Sequence, residues 1–340
     1  MKHSKLVALV ATLVTYPVAG FAQEPIATEE MEKKALEERK EEDGWSAKLK
    51  VGASASFNHS HQVVGAQEGA TFQVGLVLNG KLDYRSGQHL VENELNIQEA
   101  QTKTPQIDSF VKSVDLLDAK STYSYRFLDP SWVGLFGRAT LSTQILPGDA
   151  VRVVGGAQTD ADGNVIAGTE FAAQERVRLT GIFEPVALRQ TLGVFANPSD
   201  TKDLTIKVRL GAGAQEIIAR DGLVIVEETT DATTQELRLQ TKMLESSFSL
   251  GAELGLDANG LIVADVLSWK ASATLFQPFF TTADITGVEA LSTELEAGLS
   301  VKLAKWASLD YVVTARRQPL VVQQWQVQNT LLLTAGFDVL

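Results

Sequence analysis

The chain has 340 residues, 30 basic and 42 acidic, for a formal net charge of −12; that balance argues against the basic patch a nucleic-acid-binding surface needs. It has no cysteine and four histidines, which excludes disulfide scaffolds, cysteine–histidine zinc sites, iron–sulfur clusters and thiol catalysis. Aromatics at 7% and charged residues at 21% fit a folded chain rather than a disordered one.

Residues 1–22 read MKHSKLVALVATLVTYPVAGFA. Lys2 and Lys5 form a positive n-region, Leu6 to Val14 an apolar h-region, and Gly20-Phe21-Ala22 offers small residues at the positions a signal peptidase reads. This predicts a cleaved secretory signal peptide. Loss of two lysines takes the mature charge to −12 − 2 = −14. No later segment approaches 18 consecutive apolar residues, so a helical membrane protein is excluded and a barrel is not. Residues 23–44 are dense in Glu and Lys. Thr28 ahead of Glu29, Glu30 and Glu32 suits a helix start, and the expectation is a charged, partly helical spacer.

From residue 45 onward the chain alternates with period two. In 72–84, Phe72, Val74, Leu76, Leu78, Leu82 and Tyr84 share one face, and Gln73, Asn79, Lys81 and Asp83 share the other. The same alternation runs through 47–58, 291–303, 307–316 and 325–339. Such a pattern means strands with one apolar face. The runs are about 10–15 residues, longer than a usual globular strand and suited to a tilted transmembrane strand. Trp45, Phe57, Tyr84, Trp132, Trp306, Trp325 and Phe337 fall near strand ends, where aromatic girdles meet a membrane interface.

The predicted fold is therefore all-β, an antiparallel transmembrane β-barrel. Twelve strands are expected, at 46–58, 70–84, 90–102, 113–127, 132–146, 174–183, 186–196, 243–256, 261–277, 289–304, 306–317 and 323–340. Short turns at 85–89, 128–131, 184–185, 256–260 and 305 alternate with longer connections. The largest of these are outer loops at 147–173 and 197–242. Two strand-like pieces inside 197–242 leave a fourteen-stranded alternative open.

Three phrases carry a resemblance. They are Val111-Lys112-Ser113-Val114-Asp115 leading to Ser121-Thr122-Tyr123-Ser124-Tyr125, Leu141-Ser142-Thr143-Gln144-Ile145-Leu146-Pro147-Gly148, and Phe183-Glu184-Pro185 with Thr191-Leu192-Gly193-Val194. In this order, over most of 45–340, the chain resembles an uncharacterised, domain-of-unknown-function family of bacterial outer-membrane β-barrel proteins. The resemblance implies a barrel in the outer membrane, with outer-membrane lipid and the barrel-assembly machinery as partners. It implies no catalytic residue. The last strand ends on Leu340 rather than an aromatic, with Phe337 nearest.

Chemistry-bearing motifs are few. His59-Ser60-His61 is an isolated pair of imidazoles at a strand end. Asp160-Ala161-Asp162-Gly163-Asn164 lacks the Gly at position six and Glu at position twelve of a calcium loop, and reads as a hairpin turn. No G-x-S-x-G or glycine-rich phosphate loop occurs. No cofactor, metal site or catalytic residue is expected.

The polar face is richer. Charges on a lipid face cost about 2–4 kcal/mol each near the midplane, so the alternation assigns the lumen Lys48, Lys50, Lys81, Asp83, Glu92, Glu94, Asp118, Lys120, Arg126, Arg138, Arg176, Arg178, Arg189, Glu253, Lys270, Glu294, Glu296, Lys302, Asp310 and Arg316. Mixed signs leave two readings open: a neutralising ion-pair network or a hydrated pore with charge rings. The expected function is an outer-membrane barrel, a narrow channel for small polar solutes. The alternatives are binding of an external ligand through the outer loops and a barrel lipid hydrolase.

Overall fold

The computed structural model describes residues 43–60, 69–128, 130–201, 203–231, 234–263, 266–285, 287–304, 307–320 and 322–338. The expected signal peptide at 1–22, nearly all of the expected charged spacer, His61, Trp306 and Leu340 lie outside them.

Among the described residues seventeen strands follow in chain order: β1 Gly44–Ser60, β2 Gly69–Ser86, β3 His89–Thr104, β4 Ile107–Arg126, β5 Val133–Thr143, β6 Gly148–Val151, β7 Gly156–Thr159, β8 Arg176–Thr180, β9 Val186–Asp200, β10 Leu204–Ile218, β11 Leu223–Thr230, β12 Leu237–Met243, β13 Ser247–Val263, β14 Leu267–Thr281, β15 Ser292–Ala304, β16 Ala307–Gln318 and β17 Val322–Asp338. Twelve of them close into one antiparallel barrel in the order β1-β17-β16-β15-β14-β13-β10-β9-β5-β4-β3-β2. Closure joins β1 to β17, where Val51 pairs with Phe337.

The wall is inverted relative to a water-soluble sheet. Along β13 the buried set is Ser247, Ser249, Gly251, Glu253 and Gly255, and the exposed set is Phe248, Leu250, Ala252, Leu254 and Leu256. Leu192 at 72%, Leu76 at 64% and Leu210 at 57% are exposed on the same outer face, while Glu253 inside is 1% exposed. A solvent-facing sheet buries its apolar side. Here that side meets the surroundings, as a lipid-embedded wall requires. On β2, Phe72 and Tyr84 lie twelve residues apart on this face. That is about 40 Å along the strand, or about 30 Å of height at a tilt near 40°. The chain is a transmembrane β-barrel.

The two ends differ. One end, the turn end, carries the start of β1 and the finish of β17, with short connections from β2 to β3, β4 to β5, β9 to β10, β13 to β14 and β15 to β16. The other carries the insertions 144–185 and 219–246.

These insertions correct the expected strand list. Residues 174–183 do not enter the barrel: β8 pairs with β6 in a separate two-stranded sheet. The twelfth barrel strand is instead β10, inside the expected loop 197–242, hydrogen-bonded to β9 and β13. The short turn expected at 184–185 is the root of an insertion, and 256–260 lies within β13. Residues 174–183 leave the barrel and β10, which holds the first of the two strand-like pieces inside 197–242, enters it, so the count stays at twelve.

Residues from both insertions build a cap with its own core. β11, β12 and β7 form a three-stranded sheet. Ala150, Phe171, Val177, Leu179 and Leu239 pack together, with Leu223, Ile225 and Leu237 against them. In the cap the apolar faces are buried, unlike those of the barrel wall.

Candidate lumen and its cap

Hydrogen-bonded partners on neighbouring strands share a face, so one row can be followed around the inner wall. Lys48 pairs with Lys81, Lys81 with Glu94, Glu94 with Lys120, Lys120 with Thr140 and Thr140 with Arg189. Glu94 meets Lys81 at 3.4 Å and Lys120 at 2.9 Å. One row toward the turn end, Asp83 pairs with Glu92, Glu92 with Thr122, Thr122 with Arg138 and Arg138 with Thr191.

Several ion pairs bridge strands that are not neighbours in the wall. Arg138 on β5 reaches Glu253 on β13, past β9 and β10, with both side chains buried. The Thr191 hydroxyl donates to the second Glu253 oxygen at 3.0 Å. Toward the cap, Arg189 on β9 reaches Glu294 on β15, past β10, β13 and β14, at 3.6 Å. Arg316 flanks Glu294 at 3.9 Å and the Gln318 amide donates to it at 2.8 Å. Toward the turn end, Lys207 on β10 meets Glu92 on β3 at 4.0 Å, and Arg126 meets Asp200 at 3.6 Å.

The β9–β14 side of the lumen is filled. The Phe276 ring lies flat on the wall, where a Cβ added to Gly251 would stand 2.8 Å from it and 2.5 Å from the Gln277 carbonyl oxygen. Gly134 makes the same room for Phe195, whose ring would be 2.7 Å from an added Cβ. These two glycines permit the close approach because they lack a side chain. Arg189 stacks over Phe276 at 5.4 Å and Lys207 over Phe195 at 5.3 Å. Inside the lumen a cavity of about 60 Å³ is lined by Asp118, Arg138, Thr140, Arg189, Glu294 and Arg316, and a larger groove of about 640 Å³ runs over the outer face of β2 to β5 and β9, past Leu82, Leu95, Leu141 and Leu188.

Of the charges expected in the lumen, Lys81, Asp83, Glu92, Glu94, Asp118, Lys120, Arg126, Arg138, Arg189, Glu253, Lys270, Glu294, Glu296, Asp310 and Arg316 stand on barrel strands. Lys270 pairs with Glu296, and Asp310 accepts from the Ser300 and Ser308 hydroxyls. Lys302 is exposed near the turn-end tip of β15. Only the backbone of Lys48 and Lys50 is described, with Lys50 opposite Asn79. Arg176 and Arg178 are corrected: they lie on β8 in the cap and pair with Asp149 at 3.6 and 2.6 Å. The alternation of 174–183 is real, but its apolar face closes the cap core. Lys207, Arg209, Asp200 and Asp257 were missed. Arg209 pairs with Asp257, and the first two sit on β10, expected only as a strand-like piece, Leu204 to Leu210, of the loop 197–242.

Among the aromatics, Trp45 and Tyr84 stack with ring centroids 4.8 Å apart. Trp132 is 53% exposed at the same turn end, and Trp325 is 50% exposed toward the cap end. The Phe57 and Phe337 side chains and all of Trp306 lie outside the described parts. The sequence did not single out His89, which bonds the Tyr123 hydroxyl at 2.7 Å and lies beside Tyr125 in the turn-end girdle.

Buried carboxylates tie the cap to the barrel. Glu184 accepts backbone N–H bonds from Gly181, Arg220 and Gly222 at 2.7, 2.6 and 2.9 Å, joining the roots of both insertions. Asp115 on β4 accepts from the Ile145 and Leu146 amides, each at 2.8 Å, and from Lys112 at 2.8 Å. Arg152 from the first insertion pairs with Glu228 of the second. The Asp160 carboxylate accepts from the Asn164 and Asp162 amides at 2.8 and 3.0 Å. The Asn164 bond is the main cause holding its pKa below the usual aspartate value. Its oxygens serve a tight turn, and among the described residues no group of three or more acidic or histidine side chains is arranged for a metal.

No protein-family model and no curated protein matches this chain. Among solved structures it is similar to an outer membrane channel from Pseudomonas putida F1, at 11% identity and TM-score 0.39, covering 87% of this chain and 97% of that one. It is also similar to the beta domain of the Bordetella autotransporter BrkA, at 14% identity and TM-score 0.37, covering 87% and 99%. The CymD monoaromatic hydrocarbon channel follows at 9% identity and TM-score 0.35, covering 93% of each chain.

Proposed function

We propose that this chain is an outer-membrane barrel serving as a narrow conduit for small polar solutes, held closed by ion pairs across its lumen and covered by its cap. One observation carries the reading: a cavity of about 60 Å³ inside the lumen is lined by Asp118, Arg138, Thr140, Arg189, Glu294 and Arg316, and Arg138–Glu253 and Arg189–Glu294 bridge non-adjacent strands beside it. A barrel needed only as a scaffold gains little from buried ion pairs, which apolar side chains of similar volume replace at little or no cost. Polar lining with a cavity suits passage. The proposal carries no catalytic step. The export expected from residues 1–22 and the inverted wall both support the outer membrane.

Purified protein in planar lipid bilayers tests this. The wild type gives small, infrequent current steps, and Glu253→Gln with Glu294→Gln gives larger and more frequent ones. Absence of current from both proteins contradicts the conduit.

A second reading rests on the cap. It has a hydrophobic core of its own and shows Val153, Val154, Val226 and Met243 at 42–54% exposure, which suits recognition of an external partner. Deleting 148–180 and abolishing binding to cells or surfaces, with the barrel intact, would favour it.

A further inference from the structure

We infer that the wall carries a slit between β1 and β17, through which an uncharged amphipathic molecule passes between the lumen and the cap-side leaflet of the bilayer. The inference needs the transmembrane barrel but not the polar conduit proposed above.

Three observations converge. The first is the register at closure. β1 pairs with β2 along its whole length, from Gly44 opposite Arg85 to Ser60 opposite Gly69. β17 pairs with β16 from Ala335 opposite Ala307 to Val322 opposite Gln318. Between β1 and β17, the pairs among the described residues are Lys50–Asp338, Val51–Phe337, Gly52–Gly336 and Ala53–Ala335. Each strand therefore stays in the wall on its far side, while the two facing edges part after Ala53 and Ala335. Among the described residues no ladder pair joins 54–60 to 322–334. The second observation is depth. On β1, Trp45 lies opposite Tyr84 and Phe57 opposite Phe72, so residues 54–57 cross the cap-side part of the apolar belt, about 13 Å of strand. Unpaired backbone at that depth cannot face lipid and is tolerated where it lines a water-filled cavity. The parted edges thus border a hydrated slit that opens on the lumen.

The third observation is composition. Residues 54–60 and 322–334 contain no Asp, Glu, Lys or Arg, whereas the inner wall elsewhere is dense in charge, as at Arg138 and Glu253. An ion leaving the lumen here would shed its water with no counter-charge to replace it. A molecule with an uncharged polar head finds hydrogen-bond partners on the two backbone edges. Its apolar part meets the outer face beside them, where Val327 and Leu331 of β17 are 62% and 61% exposed.

Cross-linking tests the inference in the full chain, which has no cysteine of its own. Ala53→Cys with Ala335→Cys joins two positions that pair. Ser56→Cys with Leu332→Cys joins two positions that would pair if the register ran on. The first pair should oxidise to a disulfide. The second should not, because a disulfide spans no more than about 7 Å between Cα atoms, and a longer bismaleimide should bridge it. The uncharged probe N-phenyl-1-naphthylamine should enter cells producing the 56/332 variant several-fold faster than cells lacking the protein. Bridging 56 to 332 should return uptake to the level without the protein, and the 53/335 disulfide should leave it unchanged. Each variant is first checked for the heat-shifted gel band. Should the 56/332 variant not fold, Ser54→Cys with Thr334→Cys takes its place. A 56/332 disulfide that forms as readily as the 53/335 one overturns the slit. Uptake no faster than without the protein, or unmoved by bridging, overturns the passage. Ionic current in planar bilayers reads the conduit separately, so its absence leaves this inference standing.

Discussion

Arg138 and Glu253 are separated by two intervening strands of the barrel wall and by 115 positions in sequence, yet they form a buried ion pair across the lumen. The pair is completed by the Thr191 hydroxyl on the second carboxylate oxygen. Removing one partner leaves the other charge buried without its counter-ion, which costs about 3–5 kcal/mol, whereas replacing both with apolar groups is often neutral. Glu253→Ala should therefore lower the denaturant midpoint strongly. Arg138→Leu with Glu253→Leu should recover most of that loss. Equal losses in the single and double variants would mean that the pair does not brace the barrel.

The outer wall gives a second prediction. Leu254 is 45% exposed on the apolar face of β13. A lysine there costs about 2–4 kcal/mol if the position lies near the bilayer midplane. Leu254→Lys should reduce stability and yield in lipid vesicles. An unchanged stability would mean that water, not lipid, faces this position.

Glu184 predicts the behaviour of the cap. Glu184→Ala leaves three backbone N–H groups without their carboxylate, and hydrogen bonds to a charged acceptor contribute about 1.5–3 kcal/mol each. Limited proteolysis should then cut within 144–185 and 219–246 while the barrel keeps its heat-shifted band. Cleavage no faster than in the wild type would show that Glu184 does not hold the roots together.

Gly251 tests the packed side of the lumen. Gly251→Val brings its side chain onto the Phe276 ring and the Gln277 carbonyl, and overpacking of this kind costs about 1–3 kcal/mol. The folded yield should fall. An unaffected barrel would mean that Phe276 moves freely away from the wall.

Asp160 gives a pH dependence with a fixed sign. Its folded pKa is lowered, chiefly by the Asn164 amide. The turn is thus favoured above the unfolded aspartate pKa, and that contribution is lost as pH falls through the lower, folded value. Protection of the Asn164 amide against hydrogen exchange, corrected for intrinsic rate, should weaken on acidification in the wild type. It should be less pH-dependent in Asp160→Asn. Identical profiles would remove the carboxylate from the turn.

Much of the wall was legible because its alternation is strict. Ser249, Gly251 and Glu253 against Leu250, Ala252 and Leu254 reads as a strand in sequence and is one. β10 was harder. Its first half alternates Leu204, Ile206, Val208 and Leu210 with Thr205, Lys207 and Arg209, but Gly211, Ala212, Gly213 and Ala214 erase the contrast in its second half. Gly211 and Gly213 face inward and leave space for Thr191 and the Phe276 ring, so the feature that blurred the second half of the strand is part of its packing. Residues 174–183 erred in the other direction. Val177 and Leu179 alternate with Arg176 and Arg178 as well as any barrel strand does, and period two does not say whether an apolar face meets lipid or a core. The cross-lumen pairs were out of reach, because which charges meet depends on strand order and stagger after closure.

The central claim is a lipid-embedded closed barrel, and the most direct measurement is gel migration of the outer-membrane fraction before and after boiling. A closed barrel resists detergent until heated. The account predicts a band in that fraction that shifts on boiling. An unshifted band in the soluble periplasmic fraction would contradict it.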